Sequence, residues 1–197
     1  MKSHLISWRA RSRAVQRAHL LDAAEAVFGE RGFDGARMER VADRAGCAVG
    51  TLYNRFDGKS ELYATLLLDR WGAFLRHVTR ASERAGPARA RIERFVRAQF
   101  EFMRDHGAFF KLYLHETRGF ELNVRAALGR KGLRMYDALL DRLAALLRRA
   151  KLRGDPLHLA AALQGMINAH LAFGARRSPP ADAAGLILRT FFFGCSS

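Results

Sequence analysis

The sequence predicts an all-α chain. Apolar residues recur at three- and four-residue spacing through almost every segment, the period of a helix with one buried face. Gly32, Gly46, Gly86-Pro87, Gly107 and Gly154 punctuate those segments at helix-length intervals. No stretch alternates apolar and polar residues as a half-buried strand would, and no repeat period or low-complexity tract is present.

The elements follow in order. Leu20, Leu21, Ala24, Val27 and Phe28 form one apolar face, and that helix is expected to stop at Gly32 with Phe33 tucked beneath it. Met38, Val41, Ala42 and Ala45 lie at i, i+3, i+4 and i+7, with Glu39, Arg40, Asp43 and Arg44 on the opposite side. Gly46 ends this second helix, because glycine adopts the left-handed conformation of a helix C-cap without a Cβ penalty. Cys47 and Ala48 make the turn, and Val49, Leu52 and Phe56 bury one side of a third helix. Its free side shows Gly50, Thr51, Asn54 and Arg55. An anchored helix, a glycine turn and a second helix buried on one side only is the pattern of a helix-turn-helix, here about 37–56. Gly50 costs stability in a helix interior, so close approach of the backbone to a sugar-phosphate strand is a reason to keep it. Thr51 and Tyr53 carry hydroxyls suited to phosphate oxygens, Asp57 is the expected N-cap of the next helix, and Lys59 adds a charge beside it. These three helices make a unit of about 14–74.

Beyond Lys59, Leu67, Trp71, Phe74, Leu75 and Val78 form one stripe, and Ile92, Phe95, Val96, Phe100 and Met103 the next. A short aromatic segment holds Phe109, Phe110, Leu112, Tyr113 and Leu114, and a long amphipathic helix carries Tyr136, Leu139, Leu140, Leu143, Leu146 and Leu147. Leu157 to Phe173 is apolar on most sides, and Pro179-Pro180 is expected to open a last helix whose Leu186, Ile187, Leu188, Phe191, Phe192 and Phe193 point all round. Helices with this much apolar surface suit a four-helix interface between two copies, through about 156–196. Passage through a monomer core is the alternative.

Composition narrows the class. The chain of 197 residues carries a net charge of +15 with 49% hydrophobic residues. No apolar run reaches the ~18 residues needed to cross a bilayer, and the basic N-terminus lacks the apolar core of a signal peptide. The expectation is a cytoplasmic protein, at the nucleoid when bound to DNA. Cys47 and Cys195 offer neither metal-ligand spacing nor a disulfide framework. The basic excess supports nucleic-acid binding only weakly, because it is spread along the chain. Residues 1–59 hold 11 basic and 7 acidic side chains, and residues 60–197 hold 23 and 12. Lys2, Arg9, Arg11, Arg13 and Arg17 have no acid among them, so residues 1–13 read as a basic, flexible arm, either along phosphates or in solvent.

The run LLDAAEAVFGERGF, then VADRAGCAVGTLYNRF, then Lys59 and Leu62, resembles the tetracycline-repressor (TetR) family of bacterial transcriptional regulators. The resemblance covers about the first third of the chain; the remainder agrees only in helical character. It implies an N-terminal three-helix DNA-binding domain and a C-terminal helical ligand-binding and dimerisation domain, over 75–197. It implies a homodimer on a palindromic double-stranded operator, and repression relieved by a small-molecule effector. The recognition helix falls around Ala48 to Tyr53. Gly50, Thr51, Leu52 and Tyr53 match the family's Gly-Thr-Leu-Tyr, with Asn54 beside them, and Lys59 matches its phosphate-contacting lysine. The chain departs from the family at Ala36, Arg37, Ala48 and Val49, losing two hydroxyl caps and one cationic contact. A lost N-cap costs about 1 kcal/mol. Arg37 supplies a charged contact in place of one hydroxyl, while Ala48 and Val49 can meet a thymine methyl. The operator therefore does not follow from that of relatives.

The effector is expected among Trp71, Phe74, Phe95, Gln99, Phe102, Phe110, Tyr113, His115, Tyr136 and Asn168, with Glu116 and Arg118 as further polar candidates. Aromatic stripes at helical spacing equally make plain core. The basic excess suits an anionic or neutral ligand. No catalytic motif is present: there is no Gly-x-Ser-x-Gly elbow, phosphate-cradling glycine loop or His-Glu-x-x-His pair, and neither metal nor cofactor is expected. The functional alternatives are an architectural DNA binder without sequence preference, an activator of the same fold, and an amphipathic membrane-surface module.

Overall fold

A computed structural model describes the backbone of residues 2–116, 122–174 and 182–195, and the side chains of 14–112, 129–172 and 182–194. The described residues form nine helices and no strands, in keeping with the all-α expectation. The chain divides into two compact units, Met1–Asp69 with Ala108–Arg118, and Arg70–Gly107 with Gly119–Ser197. The first therefore ends before residue 74 and gains a distant segment.

In the first unit, α1 spans Lys2–Gly35 and is broken at Gly32, whose φ of 69° lies in the left-handed region. The expected stop is thus a kink, and Phe33 beyond it packs 6.2 Å from the Phe28 ring and 5.0 Å from Tyr63. The backbone of residues 2–13, expected as a flexible arm, continues α1; its side chains lie outside the described residues. α2 (Met38–Ala45) buries Met38, Val41, Ala42 and Ala45, the four positions that its periodicity selects.

α3 (Val49–Tyr53) follows, and α4 (Lys59–Glu83) contributes Leu62, Tyr63 and Leu66 to this core. Gly58, not Asp57, precedes the first residue of α4, and its carbonyl accepts the Leu62 N–H at 3.1 Å. Asp57 instead gives its backbone N–H to the Glu61 carboxylate, so the acid three residues past Gly58 caps this end by reaching back.

The distant segment is α6 (Gly107–Glu116). Its Phe109 and Leu112 are buried, and the Phe109 N–H donates to Glu25 of α1 at 3.0 Å. That carboxylate satisfies one of the orphan donors at the helix start and suits its positive dipole end. Contact is close beside it: a Cβ on Gly29 would stand 3.0 Å from that of Ala108.

In the second unit, the remainder of α4 joins α5 (Ala88–Asp105), α7 (Leu122–Ala150), α8 (Pro156–Gly174) and α9 (Ala183–Cys195). Phe74, Val78, Ile92, Phe95, Leu143, Leu147, Leu163, Ile167 and Ile187 fill its core. Asp155 caps α8, accepting the N–H groups of Leu157 and His158 at 3.0 and 2.9 Å, with Pro156 in the first helical position. Asp182 accepts the Gly185 N–H at 2.8 Å in the first turn of α9. Residues 175–181, Pro179-Pro180 among them, lie outside the described residues. α9 is not apolar all round in its setting: Ile187, Leu188, Phe191 and Phe192 are buried, while Leu186, Arg189 and Phe193 face out.

Candidate nucleic-acid interface

Local hydrogen bonds shape the turn between α2 and α3. Gly46 takes a φ of 63°, its N–H reaches the Asp43 carbonyl at 3.1 Å, and the Cys47 N–H reaches Ala42 at 3.0 Å. These two bonds are those of a Schellman end, which satisfies the last carbonyls of α2 and redirects the chain into α3. α1 reinforces the corner, since His19 Nε2 lies 3.1 Å from the Ala45 carbonyl. Neither α2 nor α3 has a side-chain N-cap, at Arg37 or at Ala48, which matches the hydroxyls missing there.

α3 is held from behind and open in front. Leu52 is fully buried and Phe56 buried beside it. Ala48, Val49, Gly50 and Asn54 are exposed, Tyr53 is 53% exposed, and Thr51 is half-buried. A Cβ added to Gly50 meets nothing within 4 Å, and its φ is not one that side chains avoid, so nothing inside the fold requires glycine there.

The nearby cations divide into two sets. Arg44 pairs with Glu30 at 2.6 Å, Arg55 donates to Gln16 at 2.9 Å, and Arg17 pairs with Asp69 at 3.2 Å. Arg37 and Arg40 are exposed and make no such contact among the described residues. Arg37, the extended N-cap residue, and Arg40, three positions on in the first turn, both stand at the start of α2. Arg40 was not among the expected contacts, although that spacing was legible. Lys59 is turned inward: its ammonium donates to the carbonyls of Asp34 and Ala36, both at 3.2 Å, and lies 4.6 Å from the Phe33 ring centroid.

The expected effector residues are divided between the two units. In the second unit Trp71 lies 5.0 Å from Phe74, and Phe74 lies 5.5 Å from Phe102, ring to ring. Phe102 is also stacked on His106 at 4.1 Å. Phe95 is fully buried, and Tyr136 is half-buried. Gln99 exchanges two hydrogen bonds with Gln164, at 3.2 and 3.1 Å, and Gln164 donates to Asn168 at 2.9 Å. Gln164 was not expected, although it stands four residues before Asn168 on the same helix face. Phe110, Tyr113 and His115 belong instead to α6 of the first unit. The side chains of Tyr113 and His115, with that of Glu116, lie outside the described residues, as does Arg118 altogether. Among the described residues no three His, Cys, Asp or Glu side chains could hold a metal, and no helix is long and apolar enough to cross a membrane.

Comparison with known proteins agrees with this geometry. Residues 20–66 match the family described as bacterial regulatory proteins, tetR family. The chain is 31% identical over 168 residues to the HTH-type transcriptional regulator BetI of Burkholderia thailandensis, covering 78% of this chain and 80% of that protein. It is 31% identical over 129 residues to the HTH-type transcriptional activator FasR of Mycolicibacterium smegmatis, covering 66% of this chain and 59% of FasR. It is 34% identical over 106 residues to the HTH-type transcriptional repressor KstR2 of Mycobacterium tuberculosis, covering 52% of each. The match thus spans little more than half the length of FasR and of KstR2. In fold, it is similar to a TetR-like regulator from Rhodococcus sp. RHA1, with a TM-score of 0.77 at 24% identity over 93% of this chain and 97% of that one. It is also similar to FadR of Bacillus subtilis in complex with stearoyl-CoA, with a TM-score of 0.75 at 18% identity over 91% and 97%. The glycine-turned helix pair, its open α3 and these matches together make the chain a member of the TetR family.

Proposed function

We propose that the chain is a ligand-responsive transcriptional regulator, a homodimeric repressor that leaves its palindromic operator when a small molecule binds. The observation that carries this reading is α3: Leu52 anchors it while Gly50, Tyr53 and Asn54 face outward. Arg37 and Arg40 supply phosphate contacts, and Ala48, Val49, Gly50, Thr51, Tyr53 and Asn54 form the face that enters the major groove. Ala48 and Val49 read thymine methyls. Two copies place two such helices in successive major grooves about 34–36 Å apart. Leu157, Leu186 and Phe193, exposed by 50%, 42% and 83%, supply apolar surface for the second copy through α8 and α9.

The effector binds in the second unit, around Trp71, Phe74, Phe95, Phe102, Gln99, Tyr136 and Asn168. It is neutral or anionic, in keeping with the basic excess of residues 60–197, and the stearoyl-CoA bound by the similarly folded FadR is of that kind. α4 begins in one unit and ends in the other, so an effector that prefers one placement of this helix changes DNA affinity by that preference. The protein acts in the cytoplasm, at the nucleoid when bound, and performs no catalysis.

Operator selection from random duplexes, followed by titration of the selected palindrome and a scrambled duplex, tests the reading. Preference for the palindrome by roughly 10³ or more at physiological salt is expected. Equal affinity would reduce the protein to an architectural binder. Transcription from a template bearing the palindrome then gives the sign, and a rise on adding the protein replaces repression by activation.

A further inference from the structure

We propose that Lys59 is a positioning residue of the DNA-binding unit, and that it aims α2 and α3 rather than contacting DNA phosphate. The inference rests on the DNA-binding reading above. A lysine at the first position of α4 is electrostatically misplaced, because a helix N-terminus carries partial positive charge. Its ammonium finds compensation at the opposite kind of end. The carbonyls of Asp34 and Ala36, where α1 finishes and the chain turns into α2, each accept one of its N–H groups at 3.2 Å. The Phe33 ring, 4.6 Å away, covers a further side through a cation–π contact. An ammonium has three donors. Two are committed to the fold, so at most one is left for an outside acceptor.

The corner that Lys59 holds is one that its own sequence leaves weak. α2 starts at Arg37 without a side-chain cap, and Ala36 before it has no hydroxyl. The carbonyl of Ala36 is the last group before that uncapped start, so fixing it fixes the direction in which α2 leaves. The Schellman turn then carries that direction into α3. Phe33 and Tyr63 pack against each other under the same corner, which ties α4 to the end of α1 a second time. Lys59 thus links the helix that runs on into the second unit to the start of the helix-turn-helix.

The full-length Lys59→Met protein separates the two roles. Each phosphate contact contributes about 0.9 to the slope of log affinity against log salt, so a dimer losing two would show a slope shallower by nearly 2. A positioning role predicts a loss of affinity on the order of tenfold with the slope unchanged, and a lower melting temperature in the absence of DNA. A shallower slope at unchanged melting temperature overturns the proposal. The ammonium of ¹⁵N-labelled Lys59 gives a second readout. Slow hydrogen exchange in the free protein and an unmoved resonance on adding duplex are expected, whereas a shift with coupling to phosphorus overturns the proposal. Failure of the wild-type chain to bind any duplex would defeat the regulator reading instead, and the ammonium signal of the free protein would still test the corner.

Discussion

The carboxylate oxygen of Asp182 that accepts the Gly185 N–H at 2.8 Å also accepts the Arg97 guanidinium at 3.0 Å, so one atom starts α9 and ties it to α5. The Gly185 N–H, opposed by desolvation and aided by Arg97, lowers the Asp182 pKa below its ordinary value. Asp155 is lowered in the same sense, first by the N–H of His158. A carboxylate with a depressed folded pKa contributes stability above its unfolded pKa, near 4, and loses it as pH falls through the folded value. Stability should therefore be level in this respect above about pH 5 and decline below about pH 4. Asp182→Asn should flatten that decline and lower the melting temperature at neutral pH. An unchanged acid limb would show that the cap contributes nothing measurable.

Gly50 separates the needs of folding from those of binding. With open space around its missing Cβ, Gly50→Ala should stabilise the protein by roughly 0.5–1 kcal/mol through helix propensity. The same change should weaken operator binding, because the added methyl stands on the face proposed to meet the duplex. Thermal melts and operator titrations of one preparation measure both effects, and undiminished affinity would mean that no backbone approach occurs at this position.

At Gly29 the sign reverses. Alanine would again gain helix propensity, but its Cβ would stand 3.0 Å from that of Ala108, closer than packing tolerates. Overpacking costs about 1–3 kcal/mol, so a net loss on the order of 1 kcal/mol is expected for Gly29→Ala. Ala108→Gly should relieve the clash, leaving the double variant more stable than additivity allows. Strict additivity in a denaturation cycle would show that α1 and α6 do not meet as described.

Gln99 and Gln164 form a second cycle. Each amide is buried, and each serves as donor and acceptor to the other. Replacing Gln99 by Leu leaves Gln164 with unmet groups at a cost of about 1–3 kcal/mol. The double leucine variant should cost less than the sum of the singles, since no orphan amide then remains at that pair. If both singles are neutral in urea denaturation, the exchange contributes nothing measurable.

Much of the DNA-facing unit was legible as one-dimensional pattern, because its decisive features act over four residues or fewer. The positions buried in α2, the glycine that ends it, the inward Leu52 and the absent caps at Arg37 and Ala48 all follow from local spacing and side-chain chemistry. Val49, expected on the buried side with Leu52, is instead 36% exposed, because α3 begins there with only Leu52 facing the core. Cap choice was less secure: Asp57 looked suited to α4, and Gly58 with the reaching Glu61 does that work.

The sequence by itself determined the all-helical class, the helix-turn-helix and the family, since periodicity and glycine stops are properties of neighbouring residues. Only the tertiary structure decided that α6 joins the first unit through Glu25 and Phe109, which lie 84 residues apart. It alone turned Lys59 toward the end of α1 and paired Gln99 with Gln164. A donor takes whichever acceptor folding brings within hydrogen-bond reach, and spacing along the chain carries no record of that distance.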